Sequence, residues 1–181
     1  MELETRNSKL ETDEVFRRAK VIKLLLMDCD GVLTDGRLWL TSDGDEQKCF
    51  HVRDGQGIAL LHAAGLKTAV ISGRISTALD RRAADLKMSF VRQNAKDKVA
   101  TMEEILAELS LTSDECGFIG DDLADVPVMK RVGLAVAVAD AADEAKHAAH
   151  YVTKMNGGHG AVREVCDLIL KTRDVAESNA P

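Results

Sequence analysis

No stretch of this chain reaches the roughly 18 consecutive apolar residues that a membrane span requires. The charged opening, MELETRNSKLETDEVFRRAK, also lacks the apolar centre of a secretion signal. Neither insertion nor export by that route is expected. Positive charge is scarce: 24 Lys and Arg stand against 30 Asp and Glu, for a net charge of −6. No global basic field is present to draw in nucleic acid or an anionic membrane surface. Cysteine is sparse and unpatterned. Cys29, Cys49, Cys116 and Cys166 show no C-x-x-C spacing, and three of them sit among apolar residues, where a small buried thiol is the ordinary occupant. A reducing cytoplasm is the simplest compartment. Internal repeats and low-complexity linkers are absent as well. The 181 residues, 45% of them hydrophobic, suffice for one substantial core, so a single small enzyme domain is expected.

What is present is an alternation of short apolar runs with helical patterns, the signature of an α/β fold with a central parallel sheet in a Rossmann-like three-layer sandwich. The first run, Val21 to Met27, has its one charge at Lys23 and is otherwise continuously hydrophobic, as a strand buried on both faces must be. Thr68 to Ile71, Cys116 to Ile119 and Leu134 to Val138 read the same way, with Met88 to Val91 as a weaker fifth strand. Helices are expected over Ile58 to Ala64, Ser76 to Leu86, Lys98 to Leu109 and Val126 to Val132. Gly65 and Gly133 stand where a helix C-terminus favours glycine. Domain bounds of 21–170 follow, with polar tails at 1–20 and 172–181. One segment breaks the alternation. Arg37 to Leu40 and Glu46 to Val52 flank a Gly-containing turn and predict a β-hairpin, about 37–52, inserted after the first strand. An isolated hairpin is marginal on its own. This one, which carries the only tryptophan, Trp39, is expected to serve as a flap or an oligomer contact.

Polar residues that follow buried strands are the ones to examine, because ligands of open α/β sheets bind at the strands' carboxyl ends. Asp28-Cys29-Asp30-Gly31 follows the first strand, Ser72-Gly73-Arg74 the second, Lys98 opens a helix, and Gly120-Asp121-Asp122 with Asp125 follows a later strand. Carboxylates of Asp28, Asp30 and Asp121 converging at one sheet edge would repel one another unless a cation joined them. An all-oxygen set of this kind suits Mg²⁺, with Asp122 and Asp125 in support. Asp28 could then attack a phosphoryl group, giving an aspartyl-phosphate, while Asp30 protonates the leaving oxygen and later activates water. Ser72 and Lys98 would supply a hydrogen bond and a fixed positive charge. Each element alone has a bland explanation: Asp-x-Asp is commonly a turn, Ser-Gly a loop, and a helical Lys solvated. Their joint placement at strand ends and helix starts removes it.

LLLMDCDGVLTDG, VISGR, Lys98 and FIGDDLADVPVM together resemble the four motifs of the haloacid dehalogenase superfamily of phosphatases, and the short intervals between them resemble its capless members. Within it, FHVRDGQGI, ISGR, GDDLADVPVMKRVGLAVAVADA and GGHGAVREVCDLIL are similar to the family of 3-deoxy-D-manno-octulosonate 8-phosphate phosphatases, which serve lipopolysaccharide synthesis. That resemblance implies hydrolysis of a sugar acid phosphate, or alternatively of a nine-carbon relative. It also implies a cytoplasmic homotetramer whose sites neighbouring subunits complete. Carried over by position, Asp30, Arg53, Asp54, Gly55, Gly73, Arg74, Arg82 and Lys98 would face the substrate. Arg is suited to this by its bidentate fork. The chain departs from the family pattern at His159, which stands where an Arg is expected between glycines. A phospho-receiver, a binding module rather than an enzyme, also combines Asp, Ser or Thr, Lys and an acidic pair. Its acidic pair lies on the first strand, whereas here Asp121-Asp122 follows Lys98.

Overall fold

The computed structural model describes residues 13–42 and 46–178. A helix over 13–20, α1, leads to β1 (Leu24–Met27), followed by the hairpin strands β2 (Trp39–Leu40) and β3 (Glu46–Gln47). The chain continues through α2 (Val52–Ala63), β4 (Lys67–Ile71), α3 (Thr77–Asp85), β5 (Phe90–Arg92), α4 (Lys98–Leu109) and β6 (Cys116–Gly120). It closes with α5 (Val126–Met129), β7 (Leu134–Ala137), α6 (Asp143–Ala148), β8 (Tyr151–Val152) and α7 (Ala161–Ser178). Six strands form one parallel sheet in the order β5-β4-β1-β6-β7-β8. β1 lies at its middle, and all four of its side chains are fully buried, which explains their unbroken hydrophobicity. After β5 the chain returns to the other side of β1. The carboxyl ends of β4, β1 and β6 therefore meet at the point where the strand order reverses.

The expected elements are found, with differences that have local causes. β1 begins at Leu24 because Val21 is exposed in a turn and Lys23 pairs with Glu115. α4 has the expected bounds: Asp97 caps it by accepting from the backbone N–H groups of Val99 and Ala100, both at 3.0 Å. α2 starts at Val52, six residues before Ile58, so the second hairpin strand is shorter than expected. The buried face of its first turns is built from Asp54, Gly55 and Gly57, which carry no apolar signal. Small residues there let α7 pack closely against α2. β8 is a sixth strand of only two residues at the sheet edge. At the ends, the polar segment expected as a tail to Lys20 is helical over 13–20 and buries Val15 and Ala19, and α7 runs on to Ser178. Residues 1–12 and 179–181 of those tails lie outside the described residues.

The hairpin pairs Trp39 with Gln47 and Leu40 with Glu46. Leu38, Trp39 and Leu40 are all exposed, so its apolar side rests on no core among the described residues. All four cysteines are free thiols; Cys29, Cys116 and Cys166 are buried and Cys49 is exposed. No helix among the described residues is long and apolar enough to cross a membrane.

Candidate active site

β1 delivers Asp28 to the carboxyl edge of the sheet, where its backbone N–H still bonds Ile119 at 2.9 Å in the ladder to β6. The chain then turns tightly, with the Cys29 carbonyl accepting from Leu33 and Thr34 at 2.9 and 3.1 Å. Gly31 has φ +92°, and a Cβ there would lie 2.0 Å from Asp121 Oδ2. Only glycine allows this turn and the loop after β6 to approach so closely.

Lys98, at the start of α4, bridges two carboxylates: its Nζ lies 2.8 Å from Asp28 Oδ1 and 2.7 Å from Asp125 Oδ1. Asp125 Oδ2 accepts from the backbone N–H groups of Asp121 at 2.9 Å and Asp122 at 3.3 Å. Both oxygens of Asp125 are thereby committed. Asp122 is exposed and accepts from Leu123 N. Carboxylate oxygens of Asp28, Asp121 and Asp125 come within 4.8 Å of one another, a group that could hold a metal ion. Burial, and then the negative charge of Asp125, raise the Asp28 carboxyl to about 6, against the pull of Lys98. Burial and the charges of Asp28, Asp125 and Asp122 raise Asp121 to about 8. Carboxyls held so far above their ordinary range are short of positive charge, as a divalent cation site must be before it is filled. The fit is best at Asp28 and Asp121, because Lys98 and the backbone already occupy Asp125.

The Asp30 carboxylate, expected in the metal set, turns elsewhere. Lys48 pairs with its Oδ1, and Arg74 Nε stands 3.7 Å from its Oδ2. Glu46 in turn pairs with Lys48 and accepts from Arg74 NH2 at 2.6 Å. The physical reason is that Lys48 from the hairpin and Arg74 from the loop after β4 both reach it, and their charges outcompete a place among three other carboxylates. Glu46 and Lys48 carried no expectation from the sequence. The available signal was their i, i+2 spacing in an extended segment, which puts both side chains on one face.

Ser72 directly follows β4, beside β1, is 3% exposed, and accepts from Arg74 N at 3.2 Å. Gly73 and Lys98 line an open cleft of about 380 Å³ together with Ala95 and Pro127. Other expected substrate residues lie apart. Arg53 and His159 line a second cleft of about 380 Å³ with Tyr151, Lys154 and Arg163, and none of the clustered carboxylates lines it. His159 Nδ1 donates to Gly157 O at 2.7 Å. Asp54 is 1% exposed and its Oδ1 accepts from Arg163 N at 2.8 Å, so it fastens the start of α7. Gly55 is buried against the Arg82 guanidinium, which stacks over Phe50 at 5.9 Å from the ring centre. The glycine-rich segment packs on the turn after β1. A Cβ on Gly157 would lie 1.7 Å from Gly31 O, and Gly158 N bonds Val32 O at 2.9 Å.

The sequence profile of haloacid dehalogenase-like hydrolases matches residues 87–165. The chain is 47% identical over 165 residues to the 3-deoxy-D-manno-octulosonate 8-phosphate phosphatase of Yersinia pestis, covering 91% of this chain and 88% of that one. A crystal structure of the phosphatase of the same name from Moraxella catarrhalis, in complex with magnesium, phosphate and KDO, superposes with a TM-score of 0.89 at 38% identity, covering 92% of this chain and 95% of that one. The cobalt-bound phosphatase of Haemophilus influenzae superposes with a TM-score of 0.84 at 37% identity, covering 91% and 96%.

Proposed function

Because this chain belongs to the haloacid dehalogenase-like hydrolases and, within them, to the 3-deoxy-D-manno-octulosonate 8-phosphate phosphatase family, we propose that it hydrolyses this sugar acid phosphate to the free sugar acid and inorganic phosphate. The observation that carries the reading is Lys98 bridging Asp28 and Asp125 while Asp121 closes the carboxylate cluster. Asp28 and Asp121 would hold Mg²⁺, which offsets phosphoryl charge when bound.

An Asp28 oxygen attacks phosphorus, the bond to the sugar oxygen breaks, and the Asp30 proton passes to that oxygen. Asp30 then takes a proton from water, which attacks the aspartyl-phosphate and releases phosphate and Asp28. Lys98 keeps Asp28 oriented, and the Ser72 hydroxyl donates to a phosphoryl oxygen. Arg74, about half exposed beside Asp30, is placed to meet the substrate carboxylate. Arg82 with Gly55, and Arg53 with His159 in the second cleft, would act on substrate from a neighbouring subunit's side. The exposed Leu38, Trp39 and Leu40 support such an assembly, a homotetramer of single-domain chains, and the four free thiols suit the reducing cytoplasm.

Phosphate release from the sugar acid phosphate, measured for wild type and Asp28→Asn with Mg²⁺ and with EDTA, tests this. Turnover is expected only in wild type with Mg²⁺. Equal rates in all four arms would refute the mechanism.

A further inference from the structure

Asp30, Lys48, Glu46 and Arg74 form a closed ring of alternating charge: Lys48 pairs with Asp30 and Glu46, Glu46 with Arg74, and Arg74 Nε faces Asp30. The Lys48 side chain is only 2% exposed. An ammonium so buried is sustained by its two carboxylate partners and has no face left for a ligand. Arg74, by contrast, is 48% exposed and open to one.

The ring treats the two oxygens of Asp30 differently. Oδ1 is held by Lys48, whereas Arg74 Nε, at 3.7 Å from Oδ2, is beyond hydrogen-bonding distance. We propose that Lys48, braced by Glu46, is a positioning residue that pins Asp30 Oδ1 and thereby presents Oδ2 to the leaving-group oxygen. This rests on the reading of Asp30 as the acid that protonates that oxygen. In the first half-reaction Asp30 enters with a proton on Oδ2, the oxygen Lys48 leaves free; the Asp28–phosphorus bond forms, the phosphorus–oxygen bond to the sugar breaks, and that proton passes to the sugar oxygen. Lys48 itself neither gives nor takes a proton. The hairpin thereby serves the acid of its own subunit, apart from any contact its outer face makes.

A structural latch, a substrate ligand and a positioning residue leave different marks on Lys48→Met. A proton donor matters for an alkoxide leaving group and little for a nitrophenolate, which departs unprotonated. Because Asp30 also serves as base in the second half-reaction, the readout is the single-turnover rate of alcohol release, which reports the first half alone; Lys48→Met is expected to lower it for the sugar acid phosphate by roughly ten- to a hundredfold, part of what general acid catalysis supplies. For p-nitrophenyl phosphate that single-turnover rate should stay within about threefold of wild type, and Lys48→Arg should recover most of the sugar ester rate. Glu46→Gln, a milder change, should show the same split in smaller degree and serves if Lys48→Met does not fold. Equal losses of that rate on both esters would reduce Lys48 to a latch, and an unchanged saturating rate reached only at higher substrate concentration would make it a substrate ligand; either overturns the proposal. Turnover by Asp28→Asn would instead sink the underlying mechanism, so the two failures are distinguishable.

Discussion

Replacing Lys98 by Met keeps the length and apolar stem of the side chain while removing the charge between Asp28 and Asp125. Lys98, Asp28 and Asp125 have side-chain exposures of 9%, 11% and 1%, so the ion pairs lie in a poorly solvated setting. Removing one partner from such a pair costs about 3–5 kcal/mol, because the charges left behind are uncompensated. For a chain of this size, each kcal/mol moves the melting midpoint by about 2–4 °C, so a fall of roughly 6–20 °C is expected. The cost depends on pH in a definite direction. Asp28 and Asp121 already sit high, at about 6 and about 8, and Lys98 lowers both. Without Lys98 they take up protons still more readily, which relieves the repulsion in acid and brings it back progressively as pH rises. Thermal unfolding followed by circular dichroism in EDTA should thus show a large loss at pH 8.5 and a smaller one at pH 5. A loss under about 2 °C at pH 8.5, or equal losses at the two pH values, would refute the reasoning.

The wild-type protein should itself respond to pH and metal. Folded Asp28 and Asp121 bind protons more tightly than an ordinary aspartate at 3.8, so the stability this confers is complete below about pH 4 and is lost as pH rises through about 6 and then about 8. Saturating Mg²⁺ should therefore raise the melting midpoint more at pH 8.5 than at pH 5, and an equal rise at both would contradict the placement of the metal. Asp54→Ala removes the acceptor for Arg163 N at the start of α7 and should cost about 1–3 kcal/mol of stability, read by urea unfolding, with KM unchanged. A raised KM at unaltered stability would return Asp54 to the substrate.

The chemistry was legible because each motif follows a run whose burial the sequence declares. Leu24 to Met27 is uniformly apolar, so Asp28 stands out as the first polar residue past a central strand. Lys98 was equally plain, at the head of the helical pattern that becomes α4. The opening of α2 was hidden because Asp54, Gly55 and Gly57 are buried without being hydrophobic; close approach to α7, not transfer from water, places them inside. Glu46 and Lys48 were hidden for the opposite reason. In sequence they look like the solvated face of a hairpin, and only the fold back onto Asp30 and Arg74 makes them partners. The short β8 and the helix over 13–20 each bury too few apolar side chains to leave a periodic trace.

Gly157 and Gly158, seated on the turn after β1, also bear on how the protein comes to be active. That turn carries Asp30 and Gly31 from the first strand of the sheet, yet its support arrives from just before the last helix. Closing so long an intervening loop carries an entropic cost that the local helices and neighbouring strands do not share. The sheet can therefore assemble around β1 while the turn remains unbraced, and the turn sets only when the glycine segment docks. On refolding, catalytic competence should return later than secondary structure, with the docking of Gly157 and Gly158 as the step that separates them.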